Sequence, residues 1–153
     1  MINIRETRTD EVEKLQFLDD EVFLHDVEFD PDLDMTWAKG EKGKTYFTKL
    51  VNDPNSYCLI AEDDDKQIGY LVASFKDTVY RKSKCAELQN MGVSPDYQSQ
   101  GIGSKLIQKC LAWAKSKGYQ KMYVSAYFGN TEAIKFYKKN GFSELDLGLE
   151  VDL

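Results

Sequence analysis

The chain has 153 residues, of which 42% are hydrophobic and 30% charged, and a formal net charge of −6. That length suits one domain around one core, and folding at this size buries roughly 70% of the unfolded surface without a disulfide or metal staple. The acidic balance argues against a general nucleic-acid binder, no apolar run reaches the ~20 residues of a membrane span, and the charged start MINIRETRTDEVEK lacks the apolar stretch of a secretory signal.

Ile2–Glu6 alternates weakly, as an edge strand does. From Thr9 the period becomes helical, with Val12, Leu15, Leu18, Val22 and Phe23 on one stripe. Asp30-Pro31-Asp32 ends that region, because a residue before proline is disfavoured in helix. A second helix is expected over about 37–51. Tyr57–Glu62 and Gln67–Phe75 then read as a hairpin around the polar turn Asp63–Lys66, apolar enough to be covered on both faces. Cys85–Val93 is a third strand. Ile102, Leu106, Cys110, Leu111 and Ala114 form a helical stripe that ends at Lys115, Lys117 and Gly118, where cations and a left-handed cap are favoured. Lys121–Tyr127 is the next strand. Asn130 suits the N-cap of a short helix running to about Lys139 and closed by Asn140-Gly141. Phe142–Leu153 alternates enough for one or two closing strands. The expected fold is a single mixed α/β domain over residues 1–153 with about four helices.

Three cysteines (Cys58, Cys85, Cys110) without a CxxC pair read as reduced core thiols, as in a cytoplasmic protein. His25 is the only histidine, which excludes a histidine-rich zinc site, and no metal is expected. Charge is unevenly spread. Residues 1–65 hold 18 acids and 7 bases (−11), whereas residues 66–153 hold 8 and 13 (+5). Asp19 to Asp34 alone has eight acids and no Lys or Arg. Such a run is either a solvated surface or an acidic rim that attracts cationic ligands.

The most informative segment is Met91-Gly92-Val93-Ser94-Pro95-Asp96-Tyr97-Gln98-Ser99-Gln100-Gly101-Ile102-Gly103-Ser104. It sets two glycines between a strand and a helix, where backbone can approach a ligand and the first helical turn offers free N–H groups to phosphate. No Walker A loop is present, and Leu106 stands where a dinucleotide fingerprint needs its third glycine. Gln98-x-x-Gly101-x-Gly103 resembles instead the acyl-CoA-binding signature of the GNAT N-acetyltransferases. Ala86–Pro95 is similar to the strand before that loop, and Asn130–Phe142 to the family's second motif, N..A..FY...GF. The plainer reading is a tight loop whose glycines serve packing alone.

The resemblance covers about residues 68–145 and implies a central mixed, mostly antiparallel sheet of six to seven strands, with strands 85–93 and 121–127 splayed around the pantetheine arm of acetyl-CoA. Residues of about 1–55 would shape the acceptor site. It implies that N–H groups from Gln100 through Gly101, Ile102 and Gly103 to Ser104 hold the pyrophosphate, with Gln98 and Ser99 also in the cofactor site and Lys105, Lys138 or Lys139 at outer phosphates. Met91 or Val93 would polarise the thioester carbonyl, Gly92 would form a bulge at the opening, and Asn130, Ala133 and Tyr137 would complete the cofactor site. Tyr137 would be the general acid, seven residues and thus two turns from Asn130, and Glu87 the general base. The implied activity is transfer of acetyl from acetyl-CoA directly to a primary amine, either a small cation or a peptide. A non-catalytic acyl-CoA-binding module on the same fold is the alternative, and a packing-only interaction domain a third. The alternation Leu145, Leu147, Leu149, Val151, Leu153 suits either pairing in a homodimer or an internal strand.

Overall fold

The apolar runs at Tyr57–Ala61 and Ile68–Ala73 need cover on both faces, and helices supply it. In the computed structural model, which describes all 153 residues, one sheet has the order β1 (Ile2–Glu6), β2 (Ser56–Asp63), β3 (Lys66–Lys76), β4 (Cys85–Val93), β5 (Lys121–Val124). Neighbours from β1 to β4 are antiparallel, and β4 and β5 are parallel, as the intervening helix requires. Helices α1 (Val12–Asp26) and α2 (Glu41–Asn52) pack Val12, Leu15, Leu18, Phe47 and Leu50 against Cys58, Ile60, Tyr70 and Val72. On the other face α3 (Ile102–Ser116) buries Ile102, Leu106, Ile107 and Cys110 against Leu59, Ile68, Leu71 and Leu88. Helix α4 (Thr131–Lys139) lays Phe136 and Tyr137 along the edge of that second core.

All three cysteines are buried and free, and burial pushes the Cys58 and Cys110 thiols up to about 12. No helix is long and apolar enough to cross a membrane.

Three expectations are corrected. Helix α2 begins at Glu41, not near Trp37, because Gly40 holds the N-cap in an extended conformation. The strand expected to reach Tyr127 stops at Val124, where the β4–β5 ladder ends at Leu88↔Val124. The sheet has five strands rather than six or seven, because residues 142–153 form no strand. A strand needs a partner edge as well as alternation, and the β5 edge offers only four residues. Leu145, Leu147, Leu149 and Val151 are consequently 62–88% exposed.

Candidate active site

Strand β4 opens halfway. Cys85–Leu88 pair with β5, whereas Gln89–Val93 keep β3 on one side and no strand on the other. The register against β3 slips between Val72 and Ala73, with Val72 opposite Asn90 and Ala73 opposite Leu88, so Gln89 is the extra residue of a bulge. A bulge bends its strand and increases local twist, and this one sits where β5 is left behind. The bulge is therefore at Gln89 and not at Gly92. Gly92 matters for packing instead. A Cβ there would lie 2.5 Å from Val22 Cγ2 and 3.2 Å from Tyr70 Cε1, so the missing side chain lets α1 close on the sheet.

The open edge presents the groups expected of it. Ser94 donates its N–H to Ile68 O on β3 at 2.8 Å, and alternation then turns Met91 and Val93 to the free side. Gln98 agrees, since its Nε2 donates to the Val93 carbonyl at 3.0 Å, tying the loop to the strand end. Beyond it the backbone is contorted, with positive φ at Ser99 (64°) and Gly101 (79°). Successive amides in such a conformation form an anion-binding concavity. The N–H groups of Ser99 through Ser104 donate to no protein acceptor, and the first bond of α3 is Lys105 N–H to Gly101 O. Six free amides at a helix start suit a diphosphate. The packing-only reading holds for Gly103, where a Cβ would meet Phe136 Cζ at 2.9 Å, but not for Gly101, which has open space around it.

Across the opening, the side chain of Asn130 accepts from Ala133 N–H at 3.2 Å and starts α4, which carries Tyr137 among Phe136 and Phe142. Burial, then the charge of Asp26, pushes the Tyr137 phenol up to about 12, so it stays protonated at neutral pH. Lys138 is ion-paired with Glu144. Glu87 lies on the α1–α2 face of the paired half of β4, opposite Tyr123, and its carboxylate is 3.1 Å from Lys76 Nζ.

The acidic run lies against this opening. Glu21 accepts from Ser94 Oγ at 2.7 Å, Asp30 from the Tyr127 hydroxyl at 3.0 Å, and Asp20 pairs with Lys39 at 3.2 Å. His25 is exposed, 3.3 Å from Asp26. Phe23 stacks on Trp37 with centroids 5.7 Å apart, Trp37 meets Tyr46 at 5.3 Å, and the row continues through Phe47 to Tyr70. The result is an aromatic wall with carboxylates along its rim.

Sequence reasoning missed the deepest polar cluster. Asp19 is fully buried, and its Oδ1 lies 2.8 Å from the Tyr70 hydroxyl and 2.7 Å from Asn90 Nδ2. Burial lifts its carboxyl to about 6, helped by Asp20 and Asp26 and opposed by the bonds from Tyr70 and Asn90. The signal was available: Asp19 occupies the apolar stripe of Leu15, Leu18 and Val22, where a charge has no ordinary reason to be.

A split parallel strand pair, a row of free amides at the following helix and a carboxylate-rimmed aromatic wall lie together on one side of a single α/β domain. The chain belongs to the acetyltransferase (GNAT) family, whose model matches residues 19–142. An uncharacterized N-acetyltransferase of Methanocaldococcus jannaschii is 28% identical over 112 residues, which cover 72% of this chain and 50% of that protein. The thialysine N-epsilon-acetyltransferase of Bos taurus is 31% identical over 100 residues, 60% of this chain and 58% of the other. The chain thus spans little more than half of the length of these two relatives. Among solved structures, a mutant of a Bacillus halodurans protein superposes with a TM-score of 0.87 at 19% identity, covering 99% of both chains. The aminoglycoside acetyltransferase AAC(6')-Iy, bound to a CoA-linked acetylneamine analogue, superposes at 0.77 with 20% identity, covering 100% of this chain and 98% of its own.

Proposed function

We propose that this chain is an acetyl-CoA-dependent N-acetyltransferase that passes the acetyl group directly to the primary amine of a cationic acceptor. The observation that carries the reading is the row of unpartnered amides from Ser99 to Ser104, continuous with the open edge of β4. Those amides would hold the pyrophosphate. The N–H of Met91 or Val93 would receive the carbonyl oxygen as it gains charge, an interaction worth about 3 kcal/mol at the transition state when preorganised. Acetyl-CoA itself supplies the activated acyl group. The acidic rim and aromatic wall favour an amine that brings positive charge and some apolar body, in keeping with the thialysine and aminoglycoside acetyltransferases to which the chain is similar.

Tyr137 acts at the leaving sulfur. Full transfer from a phenol at about 12 to a thiolate whose acid is near 8.5 would run uphill by about 5 kcal/mol. Tyr137 therefore acts by donating a hydrogen bond as the C–S bond stretches, more than by surrendering its proton. Glu87, on the acceptor side, is the sequence's candidate for the base. The apolar alternation of residues 145–153 supports pairing with a second copy, and buried free thiols suit a reducing, cytoplasmic setting.

Two measurements test the reading. Calorimetry with CoA should show one saturable site, and acetyl-CoA with a panel of primary amines should release free thiol in proportion to N-acetylated product. Binding without thiol release would leave the acyl-CoA-binding module as the function, and no binding would leave the packing domain.

A further inference from the structure

We propose that Asp19 accepts the proton that the incoming ammonium must lose, and that Asp19, Tyr70 and Asn90 form a contact set built to hold it. The proposal rests on the acetyl-transfer reading above and puts Asp19 in the place of Glu87 as its base.

Three observations carry it. Asp19 is a fully buried carboxylate without an ion pair: its contacts are a phenol and an amide. A carboxylate so placed is costly to ionise. Secondly, the set is one proton short while Asp19 is charged. Tyr70 Oη is 2.8 Å from Asp19 Oδ1 and 2.7 Å from Asn90 Oδ1, and Asn90 Nδ2 is 2.7 Å from the same Asp19 oxygen. Tyr70 has one proton for its two oxygen neighbours. Rotating the Asn90 amide only moves the bare oxygen–oxygen contact to Asp19. A proton on the carboxyl satisfies every contact in either orientation. Thirdly, Asp19 Oδ2 is buried with no partner at all, an acceptor that the fold itself leaves unpaired.

The position suits that role. Asn90 and Gly92 lie in the open half of β4 and flank Met91, whose N–H faces the opening, and Val22, one turn along α1 from Asp19, packs at Gly92. The titratable groups around the set are Asp20 and Asp26 on α1, Tyr46 on α2, Tyr70 on β3, Tyr137 on α4 through Tyr70, and Glu87 on β4 through Tyr46. All are acids or phenols and none is a cation; Asp20 and Asp26 favour the proton-bearing form, and the hydrogen bond from Tyr70 favours the charged one. Glu87, by contrast, has a cation, Lys76, at 3.1 Å and lies beside the closed half of β4.

In the step, one ammonium proton passes to the Asp19 carboxyl and later escapes to solvent. The nitrogen lone pair forms the C–N bond and the C–S electrons leave with sulfur. The second nitrogen proton ends on that sulfur. The products are an N-acetylated amine, CoA thiol and one proton.

Asp19→Asn keeps the shape and removes the acceptor. With acetyl-CoA and lysine, a linear diamine or an aminoglycoside, thiol release by the parent protein should rise with pH through about 6 and then level. The variant should lose this acid limb and about 100-fold in kcat/KM at pH 7.5, with KM for acetyl-CoA and the melting temperature retained or raised. Asp19→Ala reads the same question by another route, because added formate should restore part of its turnover. Glu87→Gln should keep the acid limb. An Asp19→Asn profile with the limb intact, or a limb lost in Glu87→Gln instead, overturns the proposal while acetyl transfer stands. CoA binding with no amine acetylated by the parent protein overturns the functional reading and this proposal together.

Discussion

Glu11 and Asp19 are buried carboxylates eight residues apart at the start and the middle of the same helical segment, and they are treated oppositely. Glu11 is 4% exposed, and its oxygens are met by Arg5 at 2.7 and 2.8 Å, by Lys14 at 3.1 Å and by Arg8 N–H at 2.9 Å. Arg5 reaches on to Glu62 at 2.8 Å, so the cluster clamps β1, β2 and the start of α1 together. The Arg5 guanidinium holds Glu11 well below the usual carboxylate range. Asp19 has no cation, and burial pushes it the other way. A charge that serves the fold is surrounded by its complement. A charge kept in spite of the fold marks a site where a proton or ligand is expected.

Experiments that break one end of this comparison and spare the other sharpen it. The largest effect is expected from Arg5→Met, which strips both Glu11 and Glu62 and should cost about 3–4 kcal/mol in urea unfolding without altering CoA affinity. Next is the pH dependence of stability. Glu11 has a lowered folded pKa, so its contribution is present above about 4.5 and is lost as pH falls through and below that value. Asp19 has a raised folded pKa, so its ionisation costs stability above about 6 and nothing below about 3.8. Asp19→Asn should therefore be more stable than the parent by about 3 kcal/mol at pH 7.5, with the gain vanishing near pH 4. A gain that is the same at both pH values would show that Asp19 is not a strained ionisable group.

Smaller effects probe the opening itself. Tyr137→Phe should bind CoA as the parent does and lose roughly 100-fold in kcat, about 2.7 kcal/mol. Unchanged turnover would take Tyr137 out of the chemistry. Gly101→Ala has room for its methyl but not for its φ of 79°, so it should cost about 1–2 kcal/mol and weaken CoA binding more than it weakens the fold. Removing residues 145–153, exposed in the single chain, should change monomer stability by about 0.5 kcal/mol or less. A larger loss, with dissociation in sedimentation, would show that the tail is a strand in a dimer.

Much of the molecule was legible because its signals are local. The bounds of β4 and the start and end of α4 follow from apolar period, proline and an asparagine cap, which act within a few residues. The tight turn before α3 was legible too, since Gly101 must supply a backbone angle few other residues tolerate. Partnership was not. Whether residues 145–153 form a strand, where β4 leaves β5, which residue bulges, and whether Glu11 or Asp19 meets a cation all depend on segments distant in the chain. Alternation, composition and charge fix what each segment offers, whereas a hydrogen-bonded edge, an ion pair or an orphaned carboxylate exists only once the fold sets another segment beside it.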